Sequence, residues 1–339
     1  MRRRPADRTG LYSDTMPSES RPRRAPVDAP LIPAQVQDLW DVPHAVWFTL
    51  MGVGGGIFLL PRVMGIELRL GLWLGLPVVD LISFVVIGIG GLVLIRHLGR
   101  PWRFLRAVLR PGTSWISRGA IADFIFVVVG SLLIVPGFTW GGARPLAWLP
   151  WDPTGSDLTG KTAEVVALLC AAVVIYYAGQ VLADATAIPY WRSLAVPIQF
   201  VLSSLATSMA VVMVLATLNG EPISAGQCGL LAGFLASLLV AIVWHLRTDT
   251  AAPGKSESLA RLLRGRFHRA FLRGVVWGGT VLPLVLALLA LAAPPTRDAV
   301  GVVALVCTLP AGYWLRLLTL RVGIYPPVRA TIGVPQRSP

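Results

Sequence analysis

Apolar stretches of about 20 residues recur along the 339-residue chain, and this recurrence limits its fold more than any single motif does. At a helical rise of 1.5 Å per residue, about 20 residues cross the roughly 30 Å of a bilayer's hydrocarbon. Backbone groups have no water to bond there, so each stretch is predicted to be a helix. The predicted spans are 44–65, 72–95, 119–140, 163–187, 195–218, 226–246, 271–293 and 299–321. The expected fold is all-α: a polytopic membrane protein of eight transmembrane helices arranged as two four-helix bundles. Its expected divisions are a tail over 1–43, mostly disordered, a membrane domain over 44–322 and a second tail over 323–339. Composition agrees, with 55% of residues apolar and only 14% charged.

Residues 1–30 are rich in Arg, Pro and Ser, the composition of a segment that buries too little apolar surface to fold. The basic start Met1-Arg2-Arg3-Arg4-Pro5 is followed by no apolar run before about His44, so no cleavable signal peptide is expected. Leu31–Trp40 reads as a linker.

Basic residues divide unequally between the two sets of loops. One side holds Arg96, Arg100, Arg103, Arg106, Arg110, Arg118 and Arg192, then Arg247, Lys255, Arg261, Arg264, Arg266, Arg269 and Arg273. The other holds Arg62, Arg69, Arg144, Lys161 and Arg297. Positive loops stay in the cytoplasm, so both termini of this multi-pass inner-membrane chain are expected there. The same distribution accounts for the net charge of +13. These arginines hug membrane ends, where they meet anionic lipid, and form no soluble basic domain, so a nucleic-acid partner is excluded.

Few residues are suited to chemistry. Cys170, Cys228 and Cys307 are scattered through apolar spans without CxxC spacing, which speaks against disulfides, an Fe–S cluster or structural zinc in this chain. His44, His97, His245 and His268 fall at cytoplasmic span ends or in the cytoplasmic loop. A b-type haem needs two facing histidines, for which His44 and His97 are the available pair, but their sequence spacing gives no sign of pairing. His97 begins a helix-stopping run, His97-Leu98-Gly99-Arg100-Pro101, and is the strongest candidate for a proton-passing or headgroup-binding imidazole. Ionisable residues inside spans are costly and usually face a cavity or one another. Here they are Asp80, Asp123, Asp184 and Arg316. One reading pairs a carboxylate with Arg316 as a structural bridge; the other makes Asp123 and Asp184 proton carriers near the depth of His97. Gly52-Val53-Gly54-Gly55-Gly56 in the first span allows close helix approach or leaves room for a flat ring, and packing is favoured. Tyr176 and Tyr177 lie mid-span, where a buried phenol must find a partner.

These residues resemble a known family. His97-Leu98-Gly99-Arg100-Pro101 followed by Arg110-Pro111-Gly112-Thr113-Ser114-Trp115-Ile116-Ser117-Arg118 resembles the region between spans two and three of NrfD-type anchors. These are the membrane subunits of polysulfide and dimethyl sulfoxide reductases, complex iron–sulfur molybdoenzymes. The glycine-rich first span, Tyr177-Ala178-Gly179 running to Ile188-Pro189-Tyr190-Trp191, and Leu315-Arg316 agree in order, so the resemblance covers most of residues 44–322. It implies electron exchange between a membrane quinone, menaquinone or ubiquinone, and a ferredoxin-like Fe–S subunit that connects to a molybdopterin catalytic subunit. It implies no haem or metal in this chain. His97 stands where dimethyl-sulfoxide-type anchors carry a histidine linked to menaquinol. Tyr177 corresponds to a tyrosine near the family's quinone pocket. The expected quinone contacts are His97, Tyr177, His44, Gly55 and Arg100, with His97, Asp123 and Asp184 moving protons. The arginine-rich loops 96–118 and 247–273 are the expected docking face for the Fe–S subunit. The alternative from another class is an ion or small-solute transporter or proton-conducting protein, with Asp80 in the outer half of its path.

Overall fold

The computed structural model describes residues 30–66, 71–97, 108–153, 155–248, 250, 252 and 254–328. Among these, eight helices are long and apolar enough to cross a membrane. They are α1 (Val42–Val63), α2 (Val78–His97), α3 (Trp115–Ile134, continued by a 3-10 turn to Gly137), α4 (Leu158–Ala183), α5 (Ala195–Leu218), α6 (Ala225–Arg247), α8 (Ala270–Ala292) and α9 (Arg297–Arg321). The short α7 (Lys255–Leu263) lies between α6 and α8. The first twelve residues of α8, Ala270–Val281, have π-helical bonding. There the Thr280 hydroxyl donates to the Val275 carbonyl at 2.9 Å, five residues back.

The helix starts follow local chemistry. Asp41 caps α1 with Pro43 in its first turn, Ser114 accepts from the Ser117 N–H to cap α3, and Ser224 with Gln227 forms a reciprocal capping box on α6. Asp157 caps α4 by accepting from the N–H groups of Thr159 and Gly160 at 3.0 and 3.2 Å. The Asp152 N–H, together with those two, holds the Asp157 carboxyl below its ordinary range.

The start of the second span departs most from expectation. Leu72–Pro77 is a hairpin of β2 (Leu72–Trp73) and β3 (Leu76–Pro77), and the helix begins only at Val78. Its turn holds Leu74 at φ 52° and Gly75 at φ 78°, the left-handed pair of a tight hairpin. A Cβ on Gly75 would lie 2.1 Å from the Gly137 carbonyl oxygen, so only glycine fits. Hydropathy misplaced the boundary because the hairpin is as apolar as the helix it precedes. A second strand pair joins β1 (Gln35–Val36) to β4 (Ile324–Tyr325), antiparallel, so residues flanking the first and last spans meet. Gln37 seals this junction, donating to the Leu320 carbonyl at 2.7 Å. Chain contacts divide the chain into two units, Ala34–Pro326 and a small one in which Ile32 bridges Val328.

Helices α1–α4 and helices α5, α6, α8 and α9 form two groups, and α1 and α4 pack on α5 to join them. Helix α1 is the centre of the molecule, and its glycines explain how. Cβ atoms at Gly52 and Gly56 would collide with Ser204 and Ser208 of α5, at Gly54 with Ile87 of α2, and at Gly55 with Ile175 of α4. Three helices thus approach one small-residue segment. Phe58, Phe84 and Phe126 tie α1, α2 and α3 together, with ring centroids 4.9–6.0 Å apart.

Arg62, assigned by sequence to a loop, lies within α1 and pairs with an intramembrane acid, whereas Arg316 finds no acid among the described residues. Arg62 near the end of α1 grips Asp80 in the first turn of α2 through two bonds of 2.7 Å, with Asp80 fully buried. Glu164 of α4 lies 3.6 Å from the same guanidinium. Arg316, the proposed partner for a carboxylate, has none among the described residues. It donates to the Ser203 and Ser204 hydroxyls and to the Phe200 and Gly312 carbonyls at 2.6–3.1 Å. Helix α9 therefore carries its charge to α5 instead of to an acid: Gly52 and Gly312 leave space beside the guanidinium, and Ser203 and Ser204 offer it oxygens.

Candidate functional site

Antiparallel α1 and α2 bring the first turn of one against the last turn of the other. His44 is the third residue of α1 and His97 the last of α2, and their rings meet edge-on with centroids 5.3 Å apart. Asp41 sits between them. Its Oδ1 lies 2.9 Å from His44 Nδ1 and its Oδ2 lies 3.5 Å from His97 Nε2. The His44 and Asp41 side chains are 16% and 34% exposed, that of His97 41%. The cluster is thus anchored on its α1 side and open on its α2 side.

An aromatic floor fixes the anchored side. Trp40 lies 4.9 Å from the His44 ring, stacks on Phe48 at 5.8 Å and meets Trp191 edge-on at 6.4 Å. Trp191 is itself pinned, donating its indole N–H to the Thr319 carbonyl at 2.7 Å.

One helical turn inward from His44, Trp47 approaches Tyr177 of α4 with ring centroids 5.9 Å apart. The Tyr177 side chain is buried against Trp47, and Asp123 of α3 is within its electrostatic reach. Tyr177 can lie there because α3 presents Gly119, where a Cβ would be 2.2 Å from the tyrosine ring. Asp123 is one turn further along the same face of α3, with Oδ1 buried and without a hydrogen-bond partner among the described residues. Buried polar atoms are nearly always bonded, so this carboxylate oxygen near a phenol is the candidate ligand contact of the site.

Other predicted residues lie elsewhere. Asp184 is exposed at the end of α4, in an open depression of about 190 Å³ lined by Thr113, Ser114, Trp115 and Ile116. Asp123 lies eight residues, or about 12 Å, inside α3, so the two acids are not at one depth. Gly55 packs on Ile175 and the Ala171 carbonyl, which leaves no room for a ring there. Arg100 lies outside the described residues, as does most of its loop. Tyr176 points away from Tyr177 and donates to Gln180 at 2.7 Å. His245 is buried against the Tyr190 carbonyl at 3.0 Å, a packing role, and burial raises the Tyr190 phenol above its ordinary range. Arg118 turns back on its own loop, donating to the Pro111 and Gly112 carbonyls at 2.7 and 2.9 Å over the Trp115 ring.

Asp41 was missed. Its signal was present as Asp-x-x-His directly ahead of the first apolar run, an N-cap pattern with a titratable third residue. What the arrangement offers is a string of groups that bond and exchange protons. An exposed imidazole, a carboxylate and His44 lie at the rim, and a phenol and a second carboxylate lie further inside.

Comparison with curated proteins returns no match. The family model described as "Polysulphide reductase, NrfD" matches residues 33–327, from just before β1 to just after β4, and so takes in every described membrane helix. The chain is a multi-pass membrane protein that belongs to the NrfD family, a membrane subunit of polysulphide-reductase-type complexes.

Proposed function

We propose that the chain binds a membrane quinone at the cytoplasmic ends of α1–α4 and exchanges its electrons with an Fe–S subunit of a molybdopterin oxidoreductase. The observation that carries this reading is the Asp123 oxygen without a partner among the described residues, near Tyr177 and toward the same ends of α1–α4 as the paired imidazoles of His44 and His97. A quinol supplies two electrons and two protons when it is oxidised. His97 binds one headgroup oxygen from the rim, Tyr177 faces the ring from within, and Asp123 and the His44–Asp41 pair receive protons. The aromatic floor of Trp40, Phe48 and Trp191 keeps the headgroup out of the lipid. Arg100, where the family resemblance expects a further contact, would add positive charge on the same loop. Asp184 lies on the surface that an Fe–S subunit docking on the arginine-rich loops would cover.

The transport alternative loses support at Asp80. Its carboxylate, the one acid assigned to the outer half of a path, is closed by the two-bond grip of Arg62.

His97→Gln in the assembled complex is expected to raise the quinol concentration needed for half-maximal turnover about tenfold. That is roughly the 1.4 kcal/mol of one charge-assisted hydrogen bond. Unchanged quinol kinetics would remove His97 from the site. The orientation is tested separately by fusing alkaline phosphatase to the C-terminus. A cytoplasmic terminus gives an inactive fusion, and an active one places the rim on the opposite face.

A further inference from the structure

We infer that Asp41, His44 and His97 form a binding site for a divalent transition-metal ion of the Zn2+ type, at the rim of the proposed quinone site. Each side chain offers one donor atom, and all three atoms lie within 4.8 Å of one another. Tetrahedral zinc with bonds of about 2.0–2.1 Å holds its ligand atoms roughly 3.3 Å apart. The Asp41 carboxylate reaches both imidazoles, with Oδ1 2.9 Å from His44 Nδ1 and Oδ2 3.5 Å from His97 Nε2, separations close to that value. For a single Asp41 oxygen and both ring nitrogens to reach one ion, the donors, now within 4.8 Å of one another, must draw together, and His97, at a helix end with its side chain 41% exposed, is the ligand free to move.

The donor set decides the ion. Two imidazoles and one carboxylate suit zinc, copper or nickel, whereas calcium and magnesium take all-oxygen sets. Preorganisation supports the fit. Asp41 and His44 lie three residues apart in one helical turn with Pro43 fixing the backbone between them, and Trp40 holds the His44 ring. Electrostatics are divided. The first turn of α1 disfavours a cation, the last turn of α2 favours one, and the Asp41 carboxylate supplies the charge that decides between them. Three protein ligands leave the fourth position open, the pattern of a site that admits water or another ligand.

A metal on His97 occupies the nitrogen that would bond the quinol oxygen, so the ion acts as an inhibitor of quinol oxidation. That consequence rests on the quinone reading, but the metal site does not.

The test is titration of metal-free, full-length protein in detergent with Zn2+ alone, followed by X-ray absorption at saturation. One ion per chain is expected, with nitrogen and oxygen ligands and no sulfur. Asp41→Asn and His97→Gln should each weaken it at least tenfold, while His268→Gln leaves it unchanged. Asn caps a helix as well as Asp does, so Asp41→Asn removes a ligand without removing the start of α1. Sub-stoichiometric binding, sulfur ligation, or full affinity in both Asp41→Asn and His97→Gln overturns the site. Quinone retained by the same preparation is measured before zinc is added. Zinc bound without quinone upholds the metal site and removes the quinone reading; quinone held without zinc binding does the reverse.

Discussion

Arg62→Ala is expected to destabilise the protein by about 3–5 kcal/mol, the cost of leaving a buried charge without its partner. Asp80 is fully buried, and both of its oxygens are taken by Arg62 at 2.7 Å. Alanine leaves that carboxylate in an apolar interior with no cation. It also removes the guanidinium that packs 3.7 Å over the Phe58 ring and faces Glu164. The junction of α1, α2 and α4 at this end of the molecule loses its shared ion. The check is the thermal unfolding midpoint in detergent, alongside the yield of folded protein from the membrane. Combining Arg62→Met with Asp80→Leu should recover most of the loss, because removing both charges also removes their desolvation cost. A single Arg62→Ala variant as stable as the parent would show that water or lipid headgroups reach Asp80.

Asp123→Asn is expected to lower quinol-linked turnover about 100-fold, the lower end of what a positioned acid–base group contributes. The substitution keeps the shape and removes the ability to carry a proton. It also relieves the cost of burying a carboxylate whose Oδ1 has no partner among the described residues. The variant should therefore be no less stable than the parent while it is much slower, a combination that a packing role does not produce. Quinone content should be preserved, since Tyr177 and the two histidines are untouched, and Asp123→Glu should restore part of the rate. Turnover within twofold of the parent would exclude Asp123 as a proton carrier.

Much of this architecture was readable because a bilayer leaves a chain few options. Eight apolar runs of the right length became eight helices, and α5 begins and ends at the predicted residues 195 and 218. The boundary at α2 failed for a specific reason. A hairpin of Leu, Trp and Pro has the hydropathy of a helix, and its left-handed Leu74-Gly75 turn depends on a contact with Gly137 that no local pattern contains. The site was partly legible. His97 was visible because a basic, Gly-Pro-containing stop follows it, and the glycine segment of α1 was visible as a packing surface.

Pairings were not legible. One of two readings matched Arg316 to an acid because a buried cation ordinarily wants one, whereas the serines of α5 supply oxygens to hold it. Asp80 finds Arg62 eighteen residues away, across a loop whose path the sequence leaves open.

The sequence by itself determined the class of molecule, the number of its spans and which ionisable residues are candidates for a site, since hydrocarbon forces helices and makes each ionisable side chain expensive. Tertiary structure alone decided which of those residues meet. Placing Asp41 between His44 and His97, and Tyr177 over Gly119 beside Asp123, required antiparallel helices at one particular rotation and depth. Those settings are fixed by small residues packing across helices far apart in the chain, a relation that no stretch of sequence contains.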